Sequence, residues 1–516
     1  MISKIKNQKN LLFFLLLIFI ITIPAIVGLV HKGFPLTDDG TWMIIRFSAF
    51  FQALKDGQFP VRFLPNLNNG YGYPVANFLY PLFMYIGTPI HILGFSFVNT
   101  IKIILGFSLV FSGIFSFFWL SKIFKKSAAL VGSVAYVFSP YLLYDVYKRG
   151  SVGEVLALSI VPFIFWQIER KSLFWSSLGI AALIVSHNVL ALLFLPIIFI
   201  YSILKTYQLK NRKTSICRHV KVFIFGLGIS AFFWIPALLD KQYTVFDKTT
   251  VSNYANYFVT DFALLGIFSA VIILLSIPLL FKSKNIYFHY FFILSVIFSF
   301  LTLSVSSFVW ENFPFVNLIQ FPFRLLSVVI FSISFLIAFQ LDFINKSKLK
   351  FLIPLCLLLI FIFAVPFISP TNRNNYPDSF YSTNQDTTTV KKEYMPKWVK
   401  KELDLDKQPI EILKGEGSFQ VALSKSNKIN FNLTCKTDCF ISLKKVYFPG
   451  WKVYVDSQEA KVDYNREGLI EFKVDKGEHN ISVVFKETRN RAVADLISVA
   501  FIFLIIFQLK FKFSRS

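Results

Sequence analysis

The chain is poor in the residues that build metal and redox centres, with 4 Cys, 6 His and 4 Met in 516 residues. No Cys/His spacing closes a structural zinc site, and Cys217 and Cys356 stand too isolated to ligate one. Acidic residues are also scarce, 29 against 53 Lys and Arg, for a net charge of +24. That surplus does not point to nucleic acid, which needs a contiguous basic face. Here short basic clusters alternate with apolar runs of about 20 residues. No internal repeat is visible, which argues against a transporter built from two related halves.

What is abundant is apolar: 55% of the residues are hydrophobic and 64 are Phe, more than the surface of an ordinary soluble globule can carry. The basic clusters lie at Lys4 to Lys9, Lys122 to Lys126, Arg170 to Lys171, Lys205 to Lys221, Lys282 to Lys284, Lys346 to Lys350 and Lys510 to Arg515. Short loops with that bias face the cytoplasm. Leu11 to Val30 is then an outward-running first span, without a small-residue cleavage site and so an uncleaved anchor. Asn99 to Leu120 is the return span. Phe78 to Leu93, broken by Pro81, Gly87 and Pro89, reads as juxtamembrane or re-entrant, with a true span as its alternative. Further spans are expected near 128–144, 153–167, 173–186, 189–204, 221–238, 261–281, 286–304, 325–343, 350–368 and 491–509. The expected architecture is an α-helical polytopic protein of the cell membrane, with roughly twelve spans and both termini cytoplasmic.

Three regions follow: a transmembrane domain over 1–368 with a long first external loop at 31–98, a polar external domain over 369–490, and a last span with a basic tail over 491–516. In the polar region Lys428 to Leu433, Phe440 to Tyr447, Trp451 to Val455, Leu469 to Val474 and Asn480 to Phe485 have strand length and alternation. They predict a small β-sandwich. Cys435 and Cys439 flank a three-residue tip and either close a hairpin disulfide or remain thiols. Trp451, Tyr447 and Tyr454 are either sugar-stacking surfaces or core.

The residues able to do chemistry gather on the external face. Asp38 and Asp39 follow the first span and can accept a hydroxyl proton or hold a divalent cation, while a helix cap or a solvated turn is the plainer alternative. Gly70-Tyr71-Gly72-Tyr73-Pro74 gives the long loop a rigid segment able to approach a ligand. In Tyr144 to Glu154, Arg149 and Lys148 can bind a phosphate, and Glu154, inside an apolar pattern, needs a partner that Arg149 can supply. Ser186-His187-Asn188 and Gln320-Phe321-Pro322-Phe323-Arg324 place further polar groups at the same boundary. Taken singly, His187 suits a packing role and Arg324 a headgroup anchor.

These motifs resemble the multi-span membrane proteins described as related to 6-pyruvoyl-tetrahydropterin synthase. The likeness lies in Asp39-Gly40, the Gly-Tyr-Gly-Tyr-Pro run, Tyr147-x-Arg149-Gly150 with Glu154, His187-Asn188, Phe233-Trp-Ile-Pro-Ala237 and Gln320-Phe-Pro-x-Arg324, over about residues 10 to 400. The layout is similar to C-type (GT-C) glycosyltransferases, and Val446 to Val455 resembles the β-domain of YfhO-like membrane proteins. The soluble pterin enzyme's three-His zinc site has no counterpart, and Trp42, Met43 and Ile44 stand where a family His often follows Asp-Gly. The resemblance implies inverting transfer of a sugar from a polyprenyl-phosphate donor to a saccharide, lipid or protein acceptor on the external face. Asp39 would be the base and Asp38 its helper; Arg149 and Arg324 would hold the phosphate; His187 and Gln320 would orient hydroxyls. Lys148, Glu154, Asn188, Tyr71 and Tyr73 complete the expected substrate-binding set. A transporter or flippase of lipid-linked saccharides, or a non-catalytic handler of them, is the alternative.

Overall fold

The computed structural model describes residues 2–207, 212–246, 254–260, 262–312, 316–344, 346–368, 372–386, 392–404 and 406–513. The domain boundary expected at Ser369, Asp261 at the start of one expected span, Lys210 in one basic cluster and residues 514–516 of the tail lie outside them.

The protein is an α-helical polytopic membrane protein with an all-β region near its C-terminus. Among the described residues eight helices are long and apolar enough to cross a membrane, and ten if each of two bent pairs counts as one span. The remaining two of the roughly twelve expected runs fall on shorter apolar helices. The run 221–238 is not one helix: Arg212–Ile229 and the helix beginning at Ala231 meet at 67°. At the break the Ser230 hydroxyl bonds back to Gly226 O at 2.9 Å, and Pro236 follows inside the next helix. Ile286–Leu301 likewise turns through 90° into Ser304–Asn312. Leu173–Ser186 and Ile267–Lys282 are apolar but too short to pass the same test. Leu82–Ile92 spans only about 16 Å, in keeping with a juxtamembrane or re-entrant segment.

At the centre of the bundle lies Leu326–Asp342, buried along nearly all its length and packed on Lys126–Val137 and Ile286–Leu301. A glycine permits one of these contacts: a Cβ on Gly132 would stand 2.5 Å from Ser334 O, so only glycine lets the two backbones meet there. Phe97–Leu120 packs against both Lys126–Val137 and Val152–Glu169, which places the start of the latter helix in the interior.

The β-region holds two sheets. A five-stranded sheet runs in the order Gly417–Lys425, Lys428–Cys435, Gly477–Phe485, Trp451–Val455, Gln458–Ala460; a three-stranded sheet runs Ile410–Lys414, Cys439–Val446, Leu469–Val474. Alternation sets the inner face, as in Lys428–Cys435, where Ile429, Phe431, Leu433 and Cys435 are buried. Trp451, opposite Phe485, is a core residue at 3% exposure. Cys435 and Cys439 are disulfide-bonded. Their strands pair with different neighbours in different sheets, so the bond joins the two sheets instead of closing a hairpin.

The core of the β-region is completed from outside it. Phe63 and Phe78, on the first long loop, are buried in it, and the Phe63 ring lies 5.5 Å from those of Trp451 and Phe485. Two buried arginines tie the same regions to the bundle. Arg62 bonds Glu487, Asp495 and the Phe232 carbonyl, and Arg491 bonds Asp240, which also accepts from Asn77. Lys445 donates to the carbonyls of Pro65 and Gly70 at 3.0 and 2.6 Å.

Burial, helped by the neighbouring Lys444, pushes the Lys445 ammonium down from 10.5 to about 8. Between those two values the unfolded chain binds the extra proton and the folded one does not, so this lysine makes stability rise with pH across that window. Chemical unfolding of wild type and Lys445→Met between pH 8 and pH 10.5 checks this. The stability difference is expected to change with pH in wild type's favour; a difference that stays constant across the window refutes it.

Candidate functional site

The first loop reaches the bundle through its backbone. The Asp38 and Asp39 amides donate to the carbonyls of Lys148 and Arg149 at 3.0 and 2.7 Å. Gly150 has φ +66°, and a Cβ there would stand 2.4 Å from Thr37 Oγ1 and 2.9 Å from Gly40 N. Only glycine allows this approach. Asp39 occupies the N-cap position of helix Gly40–Lys55 but makes no capping bond; the Thr37 hydroxyl accepts from Gly40 N at 3.1 Å instead. The Asp39 carboxylate, 42% exposed, is therefore left to face Arg149, whose Nη2 lies 3.7 Å away.

Behind it is a buried ionic cluster centred on Glu154. Its Oε2 accepts from Arg149 Nη1 at 2.7 Å and Arg324 Nε at 3.2 Å, with His187 Nε2 at 3.7 Å; its Oε1 accepts from the Tyr141 hydroxyl. Asp145 Oδ1 binds Arg149 Nη1 at 2.6 Å from within the wide π-type turn Asp145–Arg149. Phe321 and Phe323 stack on each other, with the Arg149 guanidinium 5.2 Å from the Phe323 ring and that of Arg324 5.0 Å from Phe321. Leu190 N donates to His187 Nδ1 at 3.2 Å, so the neutral ring carries its proton on Nε2, toward Glu154. Tyr141 and Asp145 were not among the residues expected from sequence; their signal was only the polarity of a run ending a span.

In front of the cluster opens a cavity of about 430 Å³, lined by Asp39, Trp42, Met43, Arg46, Tyr80, Arg149, His187, Asn188, Gln320, Arg324, Glu393 and Tyr394, with Leu192, Leu238 and Leu318 among its apolar wall. Asn188 Nδ2 donates to Phe78 O at 3.0 Å, and Gln320, at φ +67°, accepts from Arg324 Nη1 at 3.4 Å. Burial, then the Asp39 charge, pushes the Tyr80 phenol above its ordinary range, so it stays a neutral donor. Burial also raises the Glu393 carboxyl, opposed by the Arg46 charge and a hydrogen bond from Tyr394.

Six of the expected residues thus meet in one cavity: Asp39, Arg149, His187, Asn188, Gln320 and Arg324. Glu154 lies one layer behind. Asp38 and Lys148 pair with each other at 3.6 Å, both more than half exposed. Tyr71 and Tyr73 do not reach the cavity. Both are 1% exposed at the seam with the C-terminal half, where the Tyr71 hydroxyl donates to Asp404 O and that of Tyr73 accepts from Tyr394 N. Asp38 and Asp39 face separate cations, and among the described residues no group of three or more His, Cys, Asp or Glu is arranged to hold a metal ion.

No family model matches the chain. Over 269 residues it is 27% identical to an uncharacterized protein from Lactococcus lactis subsp. cremoris (strain MG1363), covering 48% of this chain and 42% of that protein. The chain thus spans less than half the length of the curated relative it matches. Among solved structures it is similar to arabinofuranosyltransferase AftD from Mycobacteria, with TM-score 0.47, 14% identity and coverage of 72% of this chain and 28% of that one. It is also similar to the Archaeoglobus fulgidus oligosaccharyltransferase in the apo form, with TM-score 0.48, 12% identity and coverage of 77% and 62%.

The Glu154 cluster generates a direct expectation. Glu154→Gln keeps the shape but leaves two buried guanidiniums without their shared anion, a loss of about 3 to 5 kcal/mol. Thermal unfolding of the detergent-solubilised protein is expected to show a clear drop in Tm; an unchanged Tm refutes the cluster's structural role.

Proposed function

We propose that the chain is a membrane glycosyltransferase that moves a sugar from a polyprenyl-phosphate donor to an acceptor hydroxyl at the external face, with inversion. The observation that carries the reading is the cavity itself. It joins a reachable carboxylate, Asp39, to a wall of cations and amides on one side and to the leucines at 192, 238 and 318 on another, all three partly exposed. A polyprenyl chain suits the apolar side, and its phosphate and sugar suit the polar one. This agrees with what the resemblance of the sequence motifs implies.

In this reading Asp39 takes the proton of the acceptor hydroxyl as that oxygen attacks the anomeric carbon. The bond from that carbon to the donor's phosphate oxygen breaks, and the phosphate leaves with the electron pair. Arg149, 3.7 Å from Asp39, orients the carboxylate. His187, Asn188 and Gln320 meet sugar or acceptor hydroxyls, and Tyr80 donates as a neutral phenol. Asp38 and Lys148 brace the turn that presents Asp39.

Sugar release from radiolabelled polyprenyl-phosphate sugars, with the protein in lipid nanodiscs and a membrane extract supplying acceptors, tests the proposal. Asp39→Asn is expected to lower turnover by about a hundredfold or more while donor binding persists. Equal turnover in the variant removes Asp39 as the base, and binding without turnover in both proteins turns the reading toward a carrier of lipid-linked saccharides.

A further inference from the structure

Helix Gly40–Lys55 starts at Asp39 and presents Asp39, Trp42, Met43 and Arg46 to the cavity. Those positions recur at the spacing of one helical face, with Arg46 two turns on from the carboxylate, about 10 Å along the axis. Arg46 is 7% exposed, and among the described residues it makes no hydrogen bond and no close ion pair; the nearby Glu393 carboxyl feels its charge but is not bonded to it. Every other arginine of the cavity is already engaged: Arg149 by Asp145 and Glu154, and Arg324 by Glu154 and the Ile319 carbonyl. A nearly buried guanidinium left unpaired beside an open cavity is a site for an anion that is not part of the chain.

The in-line geometry of an inverting displacement says where that anion belongs. The base, the acceptor oxygen, the attacked carbon and the leaving phosphate lie in sequence. From base to phosphate oxygens the path is roughly 9 Å, one hydrogen bond, one near-attack contact and the bonds beyond. Arg149, at 3.7 Å from Asp39, is too near the base to hold a group that departs from the opposite side of the sugar. Arg46, two turns beyond Asp39 on the same helical face and with no ion pair to it, stands further from the base than Arg149 does. We propose that Arg46 is the residue that binds the phosphate of the lipid-linked donor, leaving Arg149 to position Asp39. The inference rests on the glycosyltransferase reading above and specifies which cation meets the leaving group.

Equilibrium binding of radiolabelled undecaprenyl phosphate and of the uncharged alcohol undecaprenol to the full chain in lipid nanodiscs tests it, for wild type, Arg46→Gln and Arg46→Lys. Wild type is expected to prefer the phosphate by about tenfold to a hundredfold, the worth of a charge-assisted hydrogen bond. Arg46→Gln is expected to lose that preference and Arg46→Lys to keep part of it. If Arg46→Gln retains the preference, the assignment to Arg46 is overturned and the lipid-phosphate reading stands; if wild type shows none, both are overturned. Melting profiles without ligand guard against misfolding. Arg46→Gln removes an unpaired buried cation and is expected to melt no lower than wild type, whereas a large drop in Tm means a structural role and overturns the proposal.

Discussion

A single buried carboxylate organises the polar end of the bundle. Glu154 lies in the first turn of an apolar helix, fully buried, where an unpaired charge costs about 2.5 to 3.5 kcal/mol even on the mildest insertion scale. The fold answers with Arg149 from the preceding turn, Arg324 from the opening of a helix far along the chain, and the Tyr141 hydroxyl. Satisfying one anion therefore holds two helix starts and the end of a third span at a common depth. Their loops, and the first loop that hydrogen-bonds across Lys148 and Arg149, have nowhere to go but around the same cavity.

The cavity also depends on contacts remote from Glu154. Glu393 and Tyr394 arrive from the C-terminal half, and the Phe78 ring stacks on Tyr394 at 4.9 Å. Phe78 belongs at the same time to the core of the β-region, whose other borrowed residue, Phe63, sits beside Arg62. Arg62 and Arg491 carry that docking to the last span through Asp495 and Asp240. The β-region is thus packed as a continuation of the first loop, and Phe78, stacked on Tyr394, links that packing to the cavity wall.

The order of polar groups along the chain was legible, because a membrane leaves charged residues few places to sit. Asp39, Arg149, His187, Asn188, Gln320 and Arg324 could be read as one group from boundary position alone, and the pairing of Arg149 with Glu154 from the cost of burying the latter. The breaks near Ser230 and Leu301 were not legible, since an apolar run reads the same whether the helix within it is straight or bent. Tyr71 and Tyr73 misled because a rigid Gly-Tyr-Gly-Tyr-Pro segment suits a ligand and a protein interface equally. Arg46 was not among the residues expected from sequence. Its signal was there: it shares a helical face with Asp39, Trp42 and Met43, a periodicity that matters only once Asp39 is taken as the start of the helix. Arg62, Asp240 and Arg491 gave no such signal, because what pairs them is long-range packing.

The distribution of charge around the cavity divides the arginines by what they are able to do. Arg149 and Arg324 face Asp145 and Glu154 in a cluster already balanced, so recruiting either for a ligand means stretching a buried ion pair, and the anion left behind would bear the desolvation cost. Such residues hold geometry well and bind transient charge poorly. Arg46 has the opposite character: it is nearly buried and its charge acts on Glu393, but no hydrogen bond or close ion pair has to be broken for it to turn to an anion in the cavity. A site that must grip a charge and release it within one reaction cycle is better served by the second kind of cation, with the first kind as its frame.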